Sequence, residues 1–242
     1  MIQTWLRASG VLVLIAAWGG PLPGMASHSF AAHMLLHIVI VAGAAPLLAW
    51  GVAGTLADPV RYAPRLFSPI PASIVELIAV WAWHAPALHH AARGGGVAYA
   101  LEQGTFLAAG VLLWLSVLGG DRAAGPARAA AGVVALVFTA IHMTLLGALF
   151  ALAPRPLYAH AMDAAASVSD QQVGGVIMLI VGGAAYLSGG LWLMRDVLRD
   201  RAATVASGEM TRSDGGRPHQ DINDPTSNSR RTWTWLSVFL LV

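Results

Sequence analysis

The feature that most constrains this chain is the length of its apolar runs. Five stretches, about 31–52, 70–88, 98–118, 129–152 and 172–194, are long enough to be membrane spans, which need about 20 apolar residues each. The runs are continuous rather than alternating, so they read as helices and not as strands of an outer-membrane barrel. Composition agrees. Apolar residues make up 57% of the 242 and charged residues 11%, with mean hydropathy +0.64, against about 45–50% and about 25% in soluble domains. The expected fold is an all-α polytopic membrane helix bundle.

A shorter apolar segment, about 8–20, follows Arg7 and precedes Pro21 and Pro23, and Gly24-Met25-Ala26 looks like a cleavage site. Residues 1–27 therefore read as a first span or a signal peptide, and we expect a retained span. That makes about six transmembrane helices, with the bundle occupying 28–202. Residues 203–242 read as a polar cytoplasmic tail, disordered from 203 to 232, with a short apolar end. The last ten residues, WTWLSVFLLV, span about 15 Å as a helix. They are an interfacial segment or a partial seventh span.

Arginine placement orients the bundle. Arg61, Arg65, Arg122, Arg128, Arg195, Arg199 and Arg201 fall in alternate connections, while the intervening ones hold only Arg93 and Arg155. The Arg-rich connections are expected to be cytoplasmic. Of the nine histidines, all but His219 then lie on the outer half. His33 and His37, four apart, share one helix face. His84 sits before the helix-breaking Pro86, near Trp81 and Trp83, where an aromatic belt is an equal reading. His89 and His90 read as solvated loop residues. His142 is the deepest, and an ionisable group at that depth is a functional candidate by default.

Methionine repeats the pattern: His33-Met34 and His142-Met143 are the same dipeptide, and Met178 and Met162 also fall on the outer side. Thioether with imidazole suits Cu(I), although each Met also fits as a core filler. Asp170 is a possible ligand, but capping the last span is sufficient reason for it. The glycine pairs 174/175, 182/183 and 189/190 make a smooth face for close helix packing. Glu76 lies on the inner half, pairing with a neighbour or snorkelling. There is no Cys, hence no thiolate site, and no nucleotide loop, Ser-His-Asp order or haem-attachment motif. We expect neither an enzyme nor a nucleic-acid partner.

HMLLH followed by Pro46, then WHAPAL, ALEQGTF, IHM and PLYAHAMDAAASVSDQQVGGVIM occur in that order. Over residues 28–194 the chain resembles the CtaG family of bacterial cytochrome c oxidase assembly factors. The resemblance implies a respiratory-chain chaperone of the bacterial inner membrane, concerned with copper supply to haem-copper oxidase. Its implied partners are oxidase subunits, periplasmic copper chaperones and membrane lipid. His33 and His37 match the family's paired helix histidines, His84 its W-H-x-P histidine, and Asp170, Gln171 and Met178 its D-Q and G-x-x-M elements. The family's Glu-His pair reads Glu102-Gln103 here, a departure that removes a possible ligand, so no role is assigned to that position. The expected metal set is His33, His37, His84, His142, Met34, Met143, Met178 and Asp170, holding Cu(I) on the periplasmic side. Three alternatives stay open: a b-type haem held by His37 and His142, a copper or small-solute transporter using Glu76, and a scaffold whose histidines only crosslink helices.

Overall fold

The computed structural model describes residues 1–120, 125–158 and 164–213. Among them there are helices and no strand. Helix α1 is Ile2–Gly19 and α2 the single turn Leu22–Ala26. The HMLLH segment lies on α3 (Phe30–Ile38), which continues through a π-helical turn, Val39–Ala44, into α4 (Ala45–Val52). Next come α5 (Pro69–Trp83), α6 (Pro86–Arg93), α7 (Gly96–Leu118) and α8 (Gly125–Leu152). Helix α9 (Ala164–Ile177) runs through a second π-helical turn, Met178–Gly182, into α10 (Gly183–Ser213). Among the described residues, five helices are long and apolar enough to cross a membrane, six if the bent pair α5–α6 counts as one. The polytopic bundle is therefore as expected.

Local sequence explains the irregular places. Pro46 has no N–H and its ring crowds the carbonyl four residues back, and the π turn widens the helix just there. Widening leaves the Val41 carbonyl available, and the Trp114 indole donates to it at 3.1 Å. At the other break, Ala85 precedes Pro86 and takes φ −67°, ψ 137°, the extended region that proline imposes on its predecessor. Helix α6 consequently leaves the α5 axis at 73°, lying across the histidine-bearing end of the bundle rather than continuing outward.

Helices pack where glycine lets them. A side chain at Gly10 would meet Leu48, and one at Gly51 would meet Arg7, so α1 lies directly on α4. Trp18 also donates to Gln103 Oε1 at 3.2 Å. Through these contacts α1 packs on α4 and reaches α7. Deeper in, Glu76 is fully buried and accepts a hydrogen bond from the Tyr186 hydroxyl, with Thr139 beside it. It pairs with a neighbouring helix and does not snorkel. Tyr186→Phe removes that donor, and we expect about 1–3 kcal/mol of destabilisation, read as a lowered melting temperature in detergent.

Two expectations fall differently in the structure. Helix α9 starts at Ala164, so Asp170 lies inside it rather than at its N-cap. Helix α10 runs on to Ser213, into the stretch expected to be disordered. His160, Met162, His219 and the WTWLSVFLLV end lie outside the described residues.

Candidate metal site

The site begins with helix spacing. On α3 the rings of His33 and His37 meet edge to face one turn apart, centroids 4.3 Å, both almost fully buried. Facing them from α7 is Glu102, with no exposed surface at all. Its Oε1 lies 3.2 Å from His33 Nε2 and its Oε2 3.5 Å from His37 Nε2. Neither approach is aligned as a hydrogen bond. His33 Nε2, both nitrogens of His37 and Glu102 Oε1 are buried without a hydrogen-bond partner. Buried polar atoms nearly always have partners, and leaving several together unsatisfied is costly. Two imidazoles and a carboxylate this close together could hold a cation between them.

Their dimensions suit one. The three ligand atoms lie within 4.8 Å of one another. Atoms bound to one ion at about 2.0–2.2 Å sit about 3.5 Å apart, so rotations closing the group by about 1 Å complete a site. One carboxylate with two neutral imidazoles carries a single negative charge, which a monovalent cation would balance, and net charge inside a membrane is strongly disfavoured. Gln103 holds the carboxylate in place, donating to Glu102 Oε2 at 3.1 Å while accepting from Trp18.

A second pair lies alongside. His84 Nδ1 is 2.6 Å from the Val80 carbonyl. A carbonyl only accepts, so Nδ1 carries the proton and, in the neutral ring, Nε2 keeps its lone pair. That lone pair faces the Met34 sulfur at 3.3 Å, with no hydrogen between two electron-rich atoms. Such a pair suits a soft cation. The His84 ring is 5.7 Å from that of His37, so the two pairs adjoin.

His33, His37, His84 and Met34 thus come together, and the other expected ligands do not join them. His142 is buried without hydrogen-bond partners, its ring edge-on to Phe138 of its own helix, outside the His33–His37–Glu102 group. It sits on α8, which packs mainly against α5, α9 and α10. Met143 and Met178 lie in the hydrophobic core, and Met143 packs beside Gly182. Asp170 turns to the start of α3, accepting from the Ser29 hydroxyl at 2.7 Å and from the backbone N–H groups of Phe30 and Ala31. It caps the very helix that carries the histidine pair, satisfying donors that a helix start leaves open. Gln171 anchors the loop that brings in Tyr158, accepting from Leu157 N at 2.8 Å. The D-Q pair frames the site.

Two residues were missed. Glu102, assigned no role because Gln103 stands where the family's histidine would, is the centre of the group. The available signal was a carboxylate at the same membrane level as the histidines. His89 was read as a solvated loop residue. It is fully buried on α6, stacked on Tyr158 at 3.9 Å and 5.3 Å from the His33 ring. Tyr158 in turn donates to the His84 carbonyl at 2.6 Å, and burial pushes its phenol above the ordinary range.

No curated protein and no solved structure matches the chain. A family model does, that of the cytochrome c oxidase caa3 assembly factor, over residues 2–200. The match takes in α1 and every residue of the site, and by it the chain belongs to the cytochrome c oxidase caa3 assembly factor family.

Proposed function

We propose that this assembly factor holds copper, as Cu(I), at the histidine-bearing end of its bundle and releases it to cytochrome c oxidase. The observation that carries the reading is the buried His33–His37–Glu102 group with its unpartnered nitrogens and oxygen. The choice of copper rests on the adjoining His84 nitrogen and Met34 sulfur, since thioether discriminates against zinc and magnesium. Copper is cargo here: the protein binds and hands it on without changing a covalent bond. In this reading the chain sits in the bacterial inner membrane with the site facing the periplasm. Periplasmic copper chaperones load it, and oxidase subunits receive the ion.

Packing weighs against two of the alternatives. A haem between His37 and His142 needs an open slot beside His37, whose ring is instead stacked on Phe106 at 4.1 Å. A transport route through Glu76 meets a carboxylate already engaged by Tyr186. The test is copper content after anaerobic Cu(I) loading of the purified full-length chain, with oxidase activity in a complemented deletion strain. His37→Ala is expected to lose both, and His142→Ala to keep its copper. Equal copper in wild type and His37→Ala would sink the proposal.

A further inference from the structure

The deep site is reached through a row of rings that ends at the surface. His90, on α6, is exposed, and its ring lies 6.2 Å from that of His89. His89 is fully buried, 5.3 Å from His33. His33 is 4.3 Å from His37, and His37 is 5.7 Å from His84. Five imidazoles thus stand in successive contact, from the surface to the nitrogen–sulfur pair. Adjacent residues on a helix point about 100° apart, which is how α6 sends His90 outward and His89 inward. The row depends on the bend after His84. Arg93 holds α6 in that pose, donating to the backbone carbonyls of Ala26 and Ser27. On the outer side, a cavity of about 220 Å³ is lined by Phe30 and Tyr158, the two rings packed on His89.

We infer that His90 and His89 form the loading route by which Cu(I) enters, each imidazole taking the ion from the one before by ligand exchange. This rests on the copper reading of the deep group and assigns a separate role to residues outside it. The energetic reason is continuity. A cation crossing an apolar layer unligated would carry an uncompensated charge, whereas rings about 4–6 Å apart allow a new bond to form as the old one breaks. No net charge beyond that of the ion moves, and no redox step is needed.

The experiment follows the rate of copper transfer from the Cu(I)–bicinchoninate complex to the full-length protein in detergent, by stopped-flow absorbance, together with final copper per chain. His89→Phe keeps the stack on Tyr158 and removes the nitrogens. It is expected to slow loading by about tenfold, within the one to three decades over which on-rates of related variants differ, and to reach the wild-type endpoint. His90→Ala should slow loading less, because it removes only the outermost imidazole of the row. Wild-type loading rates in His89→Phe and His89→Gln would overturn the route and leave the deep site standing. A lost endpoint in both would overturn it too, by making His89 a ligand of the resting site. A wild-type chain that takes up no copper defeats both readings.

Discussion

Replacing Glu102 by glutamine is expected to strip the deep site of copper while leaving the protein at least as stable as before. The amide has the carboxylate's shape, so Gln103 and the imidazoles keep their neighbours. What disappears is the one negative charge that balances the cation. Partners outside the coordination shell are worth 10–100-fold in metal affinity. A direct ligand carrying the only counter-charge is worth at least that, about 1.4–2.8 kcal/mol or more. The empty protein moves the other way. A buried carboxylate is costly to desolvate, whereas a neutral amide is less so and can still hydrogen-bond an imidazole nitrogen. Each kcal/mol gained should raise the melting temperature of a chain this size by about 2–4 °C. Competition against a Cu(I) chelator and melting in detergent read the two effects separately. Copper held at wild-type affinity, or a lowered melting temperature, would remove Glu102 from the centre of the site.

The second large effect comes from a residue that never approaches the metal. At the crossing of α8 and α9, a Cβ at Gly175 would sit 2.4 Å from the Ala151 nitrogen and 2.6 Å from the Gly147 carbonyl oxygen. A Cβ at Gly147 would meet the Leu179 nitrogen at 2.6 Å. Backbone faces backbone on both sides, so no side chain can rotate out of the way. Gly175→Ala must push α9 off α8 by about an ångström, costing more than the usual 1–3 kcal/mol of overpacking. Because α9 carries Asp170 and Gln171, the displacement also loosens the start of α3. Low yield in detergent, a strongly lowered melting temperature and lost copper are expected together. Gly104→Ala is the control: it stands mid-helix with nothing within 4 Å of a new Cβ, and should gain about 0.5–1 kcal/mol. A melting curve for Gly175→Ala that overlays the wild type would contradict the packing.

Much of this was legible beforehand. The spans follow from apolar length, the pairing of His33 with His37 from helical periodicity, and the smooth face at Gly174, Gly175, Gly182 and Gly183 from small residues recurring in pairs. Depth along a helix can also be estimated, from position within the span. Azimuth cannot. Helix α7 is apolar nearly all round, so nothing in its pattern shows that Glu102 faces α3 and not lipid. On α8, equally apolar, nothing shows that His142 stays outside the histidine group. His89 was hidden for another reason. The segment after Pro86 reads as a surface loop until the bend folds it back over the bundle end.

The cap that Asp170 places on α3 has a consequence for biogenesis. Donor and acceptor stand 141 residues apart in the chain, separated by four of the spans. During synthesis, α3 enters the bilayer long before α9 exists, and its leading N–H groups stay without this carboxylate meanwhile. Helix α7, with Glu102, arrives in between. The histidine pair therefore acquires its final pose only when the last span docks and the cap closes. On the copper proposal, a nascent chain would be a poor trap for the ion, and uptake would mark a protein that has finished folding.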